Sequence, residues 1–153
     1  MFWSDKKHRE LFMEALQLKD KCRDNGYAAA IYILTSDEEL RRKSNEGVFK
    51  DSGIKFEYIH KHNDFSGGYY IALNFAESLF NGNISVDLSD LCRVDEALYK
   101  TILQAIDIKY HWRILSVKEG INPPISIGQT DEVILQRIRE LNGYDKLGSV
   151  VID

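Results

Sequence analysis

The stretch over residues 65–82, FSGGYYIALNFAESLFNG, constrains the fold of this chain more than any other. Apolar residues recur at Tyr69, Ala72, Leu73, Ala76, Leu79 and Phe80. That i, i+3, i+4, i+7 spacing lays them along one face of a helix. Ser66 stands where an N-cap belongs, and Gly82 stands where a left-handed residue would end the helix. The pattern predicts a buried amphipathic helix and brings no catalytic residue set with it.

The rest of the chain reads in the same way. A first helix is predicted over 5–24, with Ser4 as N-cap and His8, Leu11, Phe12, Ala15, Leu16, Leu18 and Cys22 on one broad face. Phe2 and Trp3 precede the cap as a candidate staple. Asn25-Gly26 is read as its stop. The run YAAAIYIL over 27–34 is almost wholly apolar, and its three alanines favour a central helix buried nearly all round. Ser36 and Glu39 have capping-box spacing and open a short polar helix ending near Ser44.

Between 45 and 64 the helical pattern fails. Ile54, Phe56 and Tyr58 alternate there, which predicts one short extended segment over 54–59 inside a long loop. VDLSDL makes a connector, and Asp95 caps a helix over 96–110 whose apolar face is Leu98, Ile102, Leu103, Ala105, Ile106 and Tyr110. The pattern can be followed on through Trp112, Ile114 and Leu115. The expected architecture is all-α, a compact domain of five or six helices with those over 65–82 and 96–110 at its centre.

At Gly120 the composition changes. Pro123 and Pro124 are adjacent and cannot lie inside a helix, so they predict an extended connector. Thr130 then caps a last helix over 131–142, whose thin apolar stripe is Val133, Ile134, Ile138 and Leu141. The chain divides on this reading into a helical core over 1–119 and a segment over 120–153, a connector, helix and tail packed on the core or on a partner.

Composition bounds the function. The 153 residues suffice for one core, and 44% hydrophobic with 29% charged residues argues against extended disorder. With 20 basic and 24 acidic residues, the formal charge of −4 gives no general basic footprint for nucleic acid. No secretory signal is read at MFWSDKKHRE and no run of about 18 apolar residues occurs, so a cytoplasmic protein without membrane contact is expected. In that compartment Cys22 and Cys92 are expected to be reduced and buried.

Two parts of the chain resemble a known family. The start, FWSDKKHRELFMEAL with YAAAIYIL and DEEL, and more closely SGGYYIALNFAESLFNGNISVDLSDLCRVDEALYKTILQAIDIKY, resemble a domain-of-unknown-function family of small helical proteins from Gram-positive bacteria and their phages. The resemblance covers about residues 1–110. It implies a compact helical domain, carried by a phage or mobile element, and imports no reaction.

Candidate chemistry is sparse. His60, His62 and Asp64, with His111 as a fourth, have ligand types that suit zinc or a non-haem metal, since histidines two apart share a face on an extended strand. This supports a metal-dependent hydrolase as one alternative. Arg41, Arg42 and Lys43, with Lys50, Lys55 and Lys61 and the nearby Tyr58, Tyr69 and Tyr70, support nucleic-acid binding as another. The acidic run Asp37-Glu38-Glu39 before the arginines favours a self-paired helix surface instead. Arg23 beside Cys22 and Arg93 beside Cys92 could activate a thiol, with His8 or His111 as base. Ser66-Gly67-Gly68 could offer amides to an anion but matches no phosphate-loop motif.

The reading that fits best is a small protein-binding or regulatory protein without enzyme activity or cofactor, which the resemblance extends to a phage or mobile-element inhibitor of a host system. Its partner-binding residues are Arg41, Arg42, Lys43, Tyr58, His60 and His62. Another protein is the expected partner, and self-association is a further one.

Overall fold

The structure is a computed structural model that describes residues 1–50 and 53–120. Six α-helices and one 3₁₀ helix occur among them, with no strand. They are α1 (Lys6–Leu18), α2 (Asn25–Leu34), α3 (Glu38–Phe49), α4 (Phe56–His62), α5 (Gly67–Asn81), the 3₁₀ helix (Leu88–Arg93) and α6 (Glu96–Lys118). The expected connector and helix over 121–142 lie outside the described residues.

The core is built around α2. Every residue from Tyr27 to Leu34 is fully buried. Its main neighbours are α5 and α6, with α1 and α3 completing the enclosure. The alanines at 28, 29 and 30 let neighbouring backbones come close, while Ile31, Ile33 and Leu34 fill the space between them. Each such large apolar side chain contributes about 1.5–3 kcal/mol on leaving water. The prediction of a helix apolar on all sides is met, and α2 rather than α5 or α6 is the innermost element.

Helix α1 ends six residues before the predicted stop. Asp5, not Ser4, is its N-cap and accepts from the His8 amide at 2.6 Å. At the other end Lys21 N–H donates to Leu16 O at 2.9 Å and Asp20 N–H to Gln17 O at 3.2 Å. These are the paired bonds of a Schellman stop, with Asp20 in the left-handed position at φ 50°. Asn25-Gly26 therefore begins α2 rather than ending α1, with Asp24 as cap, accepting from Tyr27 N at 2.9 Å.

The expected capping box at Ser36 is also replaced. Asp37 caps α3 through Glu39 N, and the Ser36 hydroxyl turns back to Ile33 O. Helix α3 continues past Ser44 to Phe49 and carries Gly47 inside it. A Cβ at Gly47 would stand 2.4 Å from Ile59 Cγ1, so α3 and α4 meet there only because residue 47 has no side chain.

The extended segment expected over 54–59 is instead helical from Phe56 on, as α4. Ile54, Phe56 and Ile59 are buried, and Tyr58 is only half-buried, so the alternation read at 54, 56 and 58 is incidental. The operative spacing is Phe56 to Ile59, one helical turn.

Helix α5 follows its prediction closely and ends at Gly82, whose φ of 69° places it in the left-handed region. Asp95 caps α6 through Leu98 N at 2.8 Å. That helix continues to Lys118, with a break from helical geometry at His111. Leu98, Ile102, Ala105, Ile108 and Trp112 face inward. Leu103 and Tyr110, expected in the core, are exposed. Cys22 is buried as expected, whereas Cys92 is exposed on the 3₁₀ helix, and both are free thiols. No described helix is long and apolar enough to cross a membrane.

Candidate functional site

Helix α4 is short and held from both ends. Lys55 N–H donates to Gly47 O at 3.0 Å before it, and Asn63 Nδ2 donates to Ile59 O at 3.1 Å at its close. With Phe56 and Ile59 anchored in the core, the rest of its turn faces outward beside α5. An open depression forms there, walled by Glu57, His60 and Lys61 from α4 and by Tyr70, Asn74 and Glu77 from α5.

The two helices are joined across this depression by His60 Nε2 and a Glu77 carboxylate oxygen, 2.7 Å apart. Both side chains are partly buried. The Tyr70 ring stands edge-on to His60, with centroids 6.1 Å apart. Tyr70 is itself 50% exposed. His62 lies elsewhere. Residues two apart on a helix are separated by about 200° around the axis. His62 Nδ1 therefore meets Tyr58 O at 3.0 Å and its ring stacks on Tyr58 at 4.1 Å, while the Tyr58 hydroxyl donates to Glu46.

The ligand set read from an extended segment is thus taken apart. His111 sits on α6 and bonds Asp107 at 2.6 Å. Asp64 offers its main-chain oxygen to Lys43. Among the described residues no three His, Cys, Asp or Glu side chains are grouped to hold a metal ion.

The basic cluster is also divided. Arg41 reaches Asp5 with two parallel bonds of 3.0 and 2.9 Å. The guanidinium holds the Asp5 carboxyl down at about 2, below the ordinary 3.8. Lys43 bonds Glu39 at 2.6 Å and lies 5.0 Å from the centre of the Phe65 ring. Arg42 alone of the three is exposed without an ion pair among the described residues. The acidic run before the arginines supplies Lys43 with its partner, as the self-paired surface reading expects, while Arg41 finds its partner on the N-cap of α1.

At Cys22 the thiol reading loses its basis. Burial, followed by the nearby Asp20 charge, pushes the Cys22 thiol up rather than down. His8 is fully buried and bonded to Tyr32 O at 2.8 Å and to Ser4. At Ser66-Gly67-Gly68, Ser66 makes no side-chain cap bond, and Gly68 lies against Val94 and Leu98.

Glu57, Tyr70, Asn74 and Glu77 were not singled out by sequence reasoning. The available signal was the spacing of Tyr70, Asn74 and Glu77, i, i+4, i+7, which marks a face of α5 turned away from its innermost residues.

These features define an all-helical domain with one open, mixed-charge face between α4 and α5. The family model described as "Family of unknown function (DUF6075)" matches residues 1–119, and the chain belongs to that family. The match runs past Tyr110 to the residue after α6. Neither the curated proteins nor the solved structures gave a match.

Proposed function

We propose that this chain is a protein-binding regulator that engages its partner through the α4–α5 face, as a phage or mobile-element inhibitor of a host system in Gram-positive bacteria. One observation carries the binding step. Tyr70, a half-exposed aromatic, is held by its contact with His60 beside the His60–Glu77 bond, in an open depression edged by Lys61 and Glu57. Exposed aromatics framed by charged side chains are enriched at protein interfaces. An open hollow of mixed charge suits a protruding side chain of another protein better than a small substrate, which needs enclosure. The phage and inhibitor steps rest on the sequence resemblance, and the free thiols at Cys22 and Cys92 fit a reducing cytoplasm.

The test uses the full chain as bait in host lysate beside a Lys61→Glu, Tyr70→Ala variant of matched thermal stability. The proposal expects a protein held stoichiometrically by the wild type and lost with the variant. Identical retention by both would remove this face from the reading.

The enzyme reading keeps one supporting observation, the His60–Glu77 contact, since His and carboxylate side chains are the commonest acid–base groups in enzymes. No Ser, Thr or Cys lines the same depression among the described residues. The nucleic-acid reading keeps Arg42. A gel-shift titration tests it, because phosphate contacts weaken steeply with salt.

A further inference from the structure

Helix α6 has two apolar faces. The first, Leu98, Ile102, Ala105, Ile108 and Trp112, is buried against the core. The second is Tyr99, Leu103, Ile106 and Tyr110, spaced 4, 3 and 4 residues apart. At about 100° per residue these four fall within a stripe about 60° wide, centred about 130° around the axis from the buried face. Tyr99, Leu103 and Tyr110 are 42%, 41% and 76% exposed, and Ile106 is half-buried at the edge nearer the core. A third side of α6 is met by the N-terminal segment, where Phe2 N–H donates to Gln104 Oε1 at 3.1 Å. The stripe stays open between these two contacts, and a contiguous apolar surface of this kind marks a site of association. The break at His111 lies just beyond Tyr110, so the stripe is confined to the straight part of the helix.

We infer that this stripe is the contact surface between two copies of the chain, which meet as antiparallel α6 helices about a two-fold axis. The surface shares no residue with the α4–α5 face. Its chemistry is symmetric along the helix. Tyr99 and Tyr110 lie equally far from the midpoint between Gln104 and Ala105, and so do Leu103 and Ile106. A two-fold axis at that midpoint sets Tyr99 opposite Tyr110 of the second copy, and Leu103 opposite its Ile106. Ring then meets ring and branched aliphatic meets branched aliphatic, the self-complementarity that a two-fold interface requires. Apolar stripes with 4–3 spacing also interlock side chain into gap. Charge selects the same register. Lys100 and Asp107 sit on one flank of the stripe, about 70–90° from its centre. The two-fold axis lays this flank of one helix along the same flank of the other. Lys100 then stands within about 3 Å, along the helix axis, of the level of Asp107 of the second copy, and the contact occurs twice by symmetry. Within one copy Lys100 bonds Glu96 and Asp107 bonds His111, both at 2.6 Å in exposed pairs. The dimer adds an opposite charge to each without setting like charges face to face on that flank. A single helix pair buries less than the roughly 1,200 Å² of stable interfaces, so the dimer is weak, with a Kd on the order of 10–100 μM.

Analytical ultracentrifugation of the full chain from about 5 to about 500 μM tests this, a range that brackets a weak dimer. The expected result is a monomer–dimer equilibrium. Leu103→Asp should raise its Kd by at least ~10-fold, the value of one large apolar side chain kept in water. Lys100→Glu and Asp107→Lys should each raise it about 3–10-fold, because each sets two like charges face to face across the axis. Mixed in equal amounts, these two charge variants should associate to within about threefold of the wild type, since every charge then meets its opposite. Lys100 and Asp107 are about 10 Å apart along one helix, so no contact inside a single copy imitates that recovery. A wild type that stays monomeric at every concentration overturns the inference, whatever else covers the stripe. A dimer indifferent to Leu103→Asp overturns it as well, and so does a mixture no tighter than its two components. Should Leu103→Asp unfold the core, the two charge variants, at exposed positions, carry the test alone.

Discussion

Trp112 donates its indole N–H to the main-chain oxygen of Cys22 at 2.6 Å, joining residues 90 positions apart. The bond is buried, and the Trp112 ring stands edge-on to Phe12 at 5.7 Å. One side chain of α6 thereby fixes both the loop after α1 and the face of α1 itself.

Trp112→Phe keeps an aromatic ring and removes the donor. A buried acceptor left without its partner costs about 1–3 kcal/mol. Urea unfolding should show a loss of that size with an unchanged m-value. A change under about 0.5 kcal/mol would mean that the bond contributes nothing net.

His8 makes stability depend on pH. Ser4 N–H donates to its Nδ1 at 3.2 Å, so Nε2 carries the proton and donates to Tyr32 O at 2.8 Å. This neutral form is the one that the site accommodates. Burial pushes the His8 pKa down to about 4 from the ordinary 6.5. Below pH 6.5 the unfolded chain takes up a proton that the folded chain refuses until about pH 4. Stability therefore falls as pH drops through that window, and His8 adds no pH dependence above it. The full loss, reached below about pH 4, is roughly 3 kcal/mol. Asp5, whose carboxyl is held down, extends the decline below pH 3.8. The margin of the wild type over His8→Gln in unfolding free energy, read at roughly pH 7.5, 6, 5 and 4.2, should shrink as pH drops. Parallel pH profiles would show that His8 is not buried neutral.

Much of the fold could be read from the residues, and the exceptions share a cause. Helix α5 was legible because its apolar repeat is uninterrupted and Gly82 takes the left-handed position that glycine favours. The end of α1 was not, because Asp20 takes that position instead and nothing in the sequence marks it. The pattern at α4 was ambiguous because seven residues with two buried anchors fit a strand as well as a helix. The His60–Glu77 pair joins two helices across 17 positions, a relation no local spacing reveals. Arg41 looked available because its partner Asp5 lies 36 residues away.

Gly47 sets the contact between α3 and α4. Gly47→Ala should destabilise, because overpacking against Ile59 costs about 1–3 kcal/mol and outweighs the roughly 1 kcal/mol gained in helix propensity. Adding Ile59→Ala removes the clashing atoms. The double variant should then lose less than the sum of the two single losses. Strict additivity in that cycle would disprove the close approach.

Tyr27 is fully buried with a hydroxyl that finds no hydrogen-bond partner among the described residues. Burial, aided by the Asp24 charge, pushes its pKa up to about 12. Tyr27→Phe removes an unsatisfied group and keeps the ring contact with Phe80. The variant should be as stable as the wild type or up to about 1 kcal/mol more stable. A loss above that amount by thermal or urea unfolding would reveal a partner for the hydroxyl.

The whole account depends on α2 lying inside the molecule, with every other part of the core arranged around it. Native-state hydrogen exchange, followed amide by amide, tests this most directly. Amides from Ala28 to Leu34 should exchange only through global unfolding, with a free energy equal to that from urea denaturation and the highest in the chain. Exchange of those amides by local opening, while α5 and α6 stay protected, would contradict it.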